Sequence, residues 1–522
     1  MNIKRNLIQT CLLWAVLLAL PIAVQAQQVF QFPTDNGHYD YTTNNNAVAI
    51  QDYQGSDSSL IIPDTINGLP VTSIGQDAFF QSQNLTSVTI GINVTTIAVN
   101  AFFQCFVLAS VSIPAGVTNI GQGPFFDCQS LTTISVSAAN SYYTNVNQLL
   151  FNKIQTSLIQ FPCGVGGMYT LPAAVTNVGE AFIGNTLTNI SVNAANPIYN
   201  STNGVLCDKN KTQLISYPGR ATAGVDISYA IPDTIKTIVS GAFEYATSVT
   251  NVTIGTNVTS IGYVAFYDCA SLIAITVNPT NSFYSSTNGV LFDKNKTVLI
   301  QYPIAVGGNY TIPGTVTNLA DGAFGDAPSL TGVVIPNSVT NIGFETFYNC
   351  ASLASVTIGN HVANIGGSAF FLCPDLTAVV IPASVTNIAQ YAFGACQSLS
   401  SVCFEGKPPA DGGTIFLDDT FYSLSTILYI NGTAGWGASY DGIATAPCPT
   451  CGGSLPQLAI NRSGTNVLLT WSTDFSTFTL QSTTNLVPPN WGTVTPAATI
   501  VGGLETVTNA ISVTPKFYRL TQ

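Results

Sequence analysis

One motif recurs down most of the chain at a spacing of 23 residues. Val339, Thr340, Asn341, Ile342 and Gly343, followed by Phe347, Cys350, Leu353, Val356 and Ile358, return as Val362, Ala363, Asn364, Ile365 and Gly366, followed by Phe370, Cys373, Leu376, Val379 and Ile381. Written generally, the unit is Val-Thr-x-Ile-Gly-x-x-Ala-Phe-x-x-Cys-x-x-Leu-x-x-Val-x-Ile-Pro. A unit this short has too few apolar residues to enclose a core of its own, so its apolar face is covered only by stacking on the next copy. The period therefore predicts a solenoid.

Composition agrees with that shape. Charged residues make up 7% of the chain, against about a quarter in ordinary soluble domains. Mean hydropathy is positive. Such a chain suits an aliphatic interior wrapped in small hydroxyl and amide side chains, and it argues against disorder. The formal charge is −12, and the sequence has no basic stripe to neutralise phosphates, which excludes nucleic acid as a partner class. Residues 1–26 read as a secretory signal peptide: Lys4 and Arg5 form a basic start, Cys11 to Leu20 an apolar run, and Val24-Gln25-Ala26 a small-residue cleavage site. The apolar run is shorter than the roughly 20 residues a bilayer span requires, and no other segment is long enough, so no transmembrane span is expected.

Units of the simple length begin at Val71, Val94, Ile235, Val316, Val339, Val362 and Val385, while those beginning at Val117, Val175 and Val258 are extended by a second module. The modules starting at Asn196 and Asn281 read NPIYNSTNGVLCDKNKTQLISYP and NSFYSSTNGVLFDKNKTVLIQYP, with a degenerate copy from Asn140. Val290-Leu291-Phe292 and Val298-Leu299-Ile300 flank the polar Asp293-Lys294-Asn295-Lys296, a hairpin pattern. These modules are expected to widen single coils or project from one edge. Within each unit Leu-x-x-Val-x-Ile and Val-Thr-x-Ile read as short strands, with a tight helical turn at Ala-Phe-x-x-Cys. The domain plan is a leader and cap over 27–70, the solenoid with its second cap over 71–446, a linker over 447–456 rich in Pro, Cys and Gly, and a small β-sandwich over 457–522. The fold class is thus a β-rich repeat solenoid followed by a small β-sandwich.

The repeat closely resembles the BspA-like leucine-rich repeat family, as does the lead-in Asn67-Gly68-Leu69-Pro70-Val71, over roughly residues 41–443. That resemblance implies an exported or surface-attached protein, and some members are adhesins for host or matrix proteins. The tail is similar to a fibronectin-type-III-like module of exported Verrucomicrobia-type proteins, through Leu480-Gln481-Ser482-Thr483-Thr484-Asn485-Leu486, Trp491 and Phe517-Tyr518-Arg519-Leu520.

Candidate chemistry is sparse. Cys105, Cys128, Cys269, Cys350, Cys373 and Cys396 occupy one position of the repeat. Their recurrence follows the solenoid period, so they read as small buried residues with free thiols rather than metal ligands or a redox site. Cys448-Pro449-Thr450-Cys451 suits a local disulfide in an exported linker. With only His38 and His361 in the chain, a histidine-dependent triad is untenable, and His361 reads as a solvent-facing turn residue. Asp208 and Asp293 read as turn starters, and lysines beside Asp293 oppose a calcium site there. No cofactor, metal site or catalytic group is expected.

The outward strand positions are the candidate surface. Between the inward Val and Ile of the longer strand stand Thr89, Ser112, Ser135, Ser191, Thr253, Thr276, Val334, Thr357 and Val380. A parallel ladder of hydroxyls at roughly 4.8 Å pitch suits a protein partner or a regular glycan. Tyr142, Tyr143, Tyr199 and Tyr284 in the long modules are expected to add exposed contacts. The sequence thus points to a noncatalytic, exported recognition or adhesion protein for an extracellular protein, the alternative being a structural or glycan-binding component of a bacterial envelope.

Overall fold

The computed structural model describes residues 28–219, 227–411, 414–416 and 424–448, and in the tail 458–463, 466–472, 479–484, 491–495, 497–501, 504–510 and 516–521. The expected signal peptide and most of the expected linker lie outside these residues. Among them the regular structure is strand throughout.

Each repeat contributes one turn of a solenoid with two parallel strands. The Val-Thr-x-Ile strands stack on their counterparts 23 residues away, as Asn318–Leu319, Asn341–Ile342, Asn364–Ile365 and Asn387–Ile388 do. The Leu-x-x-Val-x-Ile strands build the second face, as Ser59–Ile61, Ser87–Thr89, Ser110–Ile113 and Thr133–Val136 do. Alternation along a strand sends one residue inward and the next outward, so Val88 and Ile90 are buried on either side of exposed Thr89. The core lies between the two ladders, and phenylalanines stack along it. Phe324, Phe347, Phe370, Phe393 and Phe416 follow one another at ring separations of 4.7, 5.0, 5.1 and 5.9 Å. Each such pair adds about 0.5–1.5 kcal/mol beyond simple burial.

The Ala-Phe-x-x-Cys segment is a chain of turns and not the helical turn the sequence suggests. Its backbone enters the left-handed region on both sides of the Phe, for example at Glu345 (φ 52°) and Asn349 (φ 52°) around Phe347 and at Gly179 (φ 45°) and Gly184 (φ 72°) around Phe182. A helix cannot run through such residues.

The three long modules correct a second expectation. Expected to widen single coils or project from one edge, they instead cross the interior. Each is a three-stranded antiparallel meander: Tyr143–Val146, Leu149–Asn152 and Leu158–Gln160; then Tyr199–Thr202, Val205–Asp208 and Gln213–Ser216; then Tyr284–Thr287, Val290–Asp293 and Val298–Gln301. The middle strand crosses the interior as a partition. Leu150 packs in the core of the first segment, whereas Leu149 and Phe151 pack in that of the second. Leu206 faces the second and Val205 and Cys207 the third; Leu291 faces the third and Val290 and Phe292 the fourth. Three successive buried apolar residues are what a strand covered on both faces requires. The bore is therefore divided into four cores.

The ends are closed by other means. At the start, Phe30–Thr34, Gly37–Asn44 and Ala47–Gly55 form an antiparallel cap whose last strand pairs in parallel with Leu69–Ile74. At the far end the strand Ile443–Cys448 pairs with Thr426–Ile430 and reaches Cys448, past the boundary expected at residue 446. Trp436 stacks on Tyr429 at 5.1 Å and donates from Nε1 to the Gly406 carbonyl at 3.1 Å. In the tail, Ala459–Ser463, Asn466–Ser472, Leu504–Ala510 and Thr499–Val501 form one antiparallel sheet, and Gly492–Thr493, Thr479–Thr483 and Phe517–Thr521 another. Leu469, Trp471, Leu480, Val494 and Val507 share a small core there.

Candidate functional site

The outward column exists, but in blocks. Thr89, Ser112 and Ser135 stand opposite one another on consecutive rungs, as do Thr253 and Thr276. Ser191 pairs with Thr170, and Thr357 with Val334. Thr89, Ser112, Ser135, Thr253, Thr276 and Thr357 are exposed, and Ser191 is half-buried. Each long module interrupts the ladder, so no single column runs the length of the solenoid. Some hydroxyls are also engaged: Thr253 and Thr276 lie 3.0 Å apart, Thr170 and Ser191 2.6 Å apart, and Ser135 donates to the Val111 carbonyl at 3.2 Å. The sequence reading overlooked a second outward column, Ser59, Ser87, Ser110 and Thr133, in register beside the first.

The tyrosines need correction. Tyr199 is buried, and Tyr143 and Tyr284 are half-buried. Their hydroxyls accept hydrogen bonds from the backbone N–H groups of Ile120, Val178 and Ile261, at 2.9 Å for Tyr143, 3.2 Å for Tyr199 and 3.0 Å for Tyr284. Each tyrosine thus caps the ladder where the module interrupts it, meeting a donor left without a next strand. The exposed side chain is the residue before it: Tyr142, as expected, and also Ile198 and Phe283.

Beneath each tyrosine lies a buried asparagine. Asn281 donates to the Gly255 and Val258 carbonyls at 2.8 and 2.9 Å and accepts from Phe283 N and Tyr284 N, both at 2.8 Å. Asn140 and Asn196 make the same four bonds in their modules. Asp208 and Asp293 start turns as expected: Asp293 accepts from Val298 N at 2.7 Å and from Thr297 Oγ1 at 2.8 Å.

The cysteine ladder is structural. Cys105, Cys128, Cys269, Cys350, Cys373 and Cys396 are buried free thiols. Each Sγ donates to the carbonyl of the preceding coil's phenylalanine, at 3.0–3.2 Å. Burial pushes the Cys396 thiol up to about 12, which removes the reactive thiolate. Of the pair expected to form a local disulfide, Cys451 lies outside the described residues and Cys448 is a free thiol, whereas Cys403 is disulfide-bonded. His361 is exposed, as expected of a turn residue.

Carboxylates gather along the Phe turns. Burial pushes Asp268 up to about 8, reinforced by the charges of Asp326 and Asp127. Burial pushes Glu345 up to about 8 as well, helped by Asp326 and Asp321. Burial, with Glu180, Asp127 and Asp268, raises Glu244. The dominant cause is burial, which disfavours the charged form, and repulsion among neighbouring carboxylates adds to it. Among the described residues no helix is long and apolar enough to cross a membrane.

The BspA type leucine rich repeat region matches the sequence in 6 copies, over residues 53–171, 227–302 and 308–431. No curated protein is significantly similar in sequence. Among solved structures, a leucine rich cell surface protein from Faecalibacterium prausnitzii A2-165 is 24% identical, the match covering 78% of this chain and 96% of that one at a TM-score of 0.38. The pneumococcal vaccine antigen PcpA is 17% identical, covering 77% and 87% at 0.34, and a leucine-rich repeat protein from Eubacterium ventriosum ATCC 27560 is 20% identical, covering 74% and 96% at 0.31. With the matched repeats spanning more than half of its length, the chain belongs to the BspA type leucine rich repeat family.

Proposed function

We propose that the protein is an exported, cell-surface, noncatalytic recognition protein that adheres to an extracellular protein through the outward face of its longer strands. The observation that carries this reading is the paired columns of small hydroxyls in register over consecutive rungs, with Thr89, Ser112 and Ser135 exposed and Ser87 and Ser110 half-buried beside them. The face is pre-formed, so little conformational entropy is lost on binding and small gains per rung add. The family's character as surface antigens supports the location, and the two tail sheets would serve as a fibronectin-type-III-like β-sandwich for anchoring or sorting.

The test is capture of fractionated matrix proteins by the purified protein and by a variant carrying Thr253→Lys, Thr276→Lys and Thr357→Lys. A captured protein lost in the variant supports the reading. Capture that the lysines leave unchanged moves the site off this face.

A further inference from the structure

The other ladder carries a different chemistry in the last segment. Asn318, Asn341, Asn364 and Asn387 face one another on four consecutive rungs. Their neighbours Ile342, Ile365 and Ile388 point into the core, so the amides point out. Asn364 and Asn387 are exposed and Asn318 and Asn341 half-buried. Asn341 Nδ2 lies 3.5 Å from Asn318 Oδ1; among the described residues the side-chain amides of Asn364 and Asn387 hold no hydrogen bond. Small residues, Gly343, Gly366 and Ala389, follow the row, and at Gly343 and Gly366 a Cβ would meet the backbone of the preceding coil.

At the head of this row the third module leaves a gap. The strand Ser260–Ile261 pairs backward with Thr237–Ile238, and the next sheet begins with the module itself, so the two ladder segments part. The cleft between them has a volume of about 330 Å³ and is lined by Tyr263, Gln301, Asn318, Asp321 and Asn341 among others. One carboxylate oxygen of Asp321 accepts from Phe344 N at 2.7 Å, and the Tyr263 side chain is 42% exposed.

We propose that this amide row and its cleft bind an extended, uncharged polysaccharide. A primary amide donates and accepts at once, as a sugar hydroxyl does, and a carboxylate accepts from hydroxyls. An exposed aromatic ring offers a face for the C–H side of a sugar. The rungs repeat at roughly 4.8 Å, close to the advance of one hexose in an extended chain, so successive units meet successive asparagines. The row contains no lysine or arginine to hold an anionic glycan, and it lacks the aromatic or aliphatic anchors of a protein interface.

The probes are cellohexaose and mannohexaose, with polygalacturonate as the anionic comparison, titrated calorimetrically into the whole protein. Saturable binding of a neutral hexasaccharide is expected, weakened about tenfold or more by Asn341→Ala with Asn364→Ala, weakened by Tyr263→Ala, and untouched by Thr253→Ala. Thermal unfolding of each variant separates loss of binding from loss of fold. Failure of both neutral sugars to bind, binding indifferent to the asparagine pair, or preference for polygalacturonate overturns the proposal. The Thr→Lys variants used for protein capture leave this row intact, so the two readings fail independently.

Discussion

Replacing Asn281 by alanine is the sharpest probe of the partitioned solenoid. The side chain is fully buried, and its four hydrogen bonds join three pieces of chain: the turn at Gly255–Val258, its own loop, and the start of the strand bearing Tyr284. Truncation leaves the carbonyls of Gly255 and Val258 without these donors, and both residues are buried. It also frees the N–H groups of Phe283 and Tyr284, which lie nearer solvent and can recover water. An unsatisfied buried polar group costs about 1–3 kcal/mol; the Val258 carbonyl is left bare while that of Gly255 keeps only a long bond from Val258 N at 3.5 Å, so with partial recovery of the N–H groups the expected loss is about 2–4 kcal/mol. Stacked arrays need not unfold in one step. The assay is therefore hydrogen exchange of the amides between Gly255 and Leu291, alongside urea unfolding followed by circular dichroism. Asn281→Asp keeps the acceptor but aims a carboxylate oxygen at two carbonyls, so its penalty should grow as pH rises above the carboxyl's pKa. Asn140→Ala and Asn196→Ala should behave like Asn281→Ala, and exposed Asn364→Ala should cost under about 0.5 kcal/mol. If Asn281→Ala costs less than about 1 kcal/mol, or no more than Asn364→Ala, the idea that these asparagines lock the modules into the stack is refuted.

The remaining predictions concern the turns. In the native protein Cys350, Cys373 and Cys396 should resist a thiol reagent until unfolding, while half-buried Cys448 reacts; Cys350→Ala should cost about 1 kcal/mol through the Phe324 carbonyl it leaves. Val264 holds φ at 46° where two neighbouring coils have Gly241 and Gly322. Relief of about 1–2 kcal/mol of left-handed strain against glycine's entropic cost of about 0.5–1 kcal/mol should let Val264→Gly raise the melting temperature. For Asp268 and Glu345 the folded state holds the proton more tightly than the unfolded chain. Their contribution is therefore complete below the unfolded pKa and is lost as pH rises toward about 8. Urea midpoints should fall between pH 5 and pH 8, and Asp268→Asn with Glu345→Gln should flatten that slope.

The period in the sequence already implied stacking, two strands per coil, an aliphatic core and a buried cysteine, because each follows from one unit repeated. The outward residues of the longer strands were legible for the same reason. What the repeat could not show was contact between unlike parts of the chain. Tyr199 looks like any surface tyrosine until the broken ladder presents it with the Val178 N–H. A usable signal was present in the recurrence of Asn-x-x-Tyr at the head of all three modules, which marked a shared local structure without revealing its partner. The threonine of Val-Thr-x-Ile is similar: Thr95 and Thr118 donate to the carbonyls of Thr72 and Thr95 one coil back, a role visible only once coils are stacked.

By itself, then, the sequence determined that this chain winds into a solenoid of the BspA type, since a short apolar period has no other way to bury its face. Only the tertiary structure decided that the modules divide the interior, because a strand such as Val290–Asp293 reads the same whether one face is covered or two. It also decided where the amide row ends and the cleft begins. Both depend on which rung meets which, and that is set by packing between distant segments, not by the repeat within any one of them.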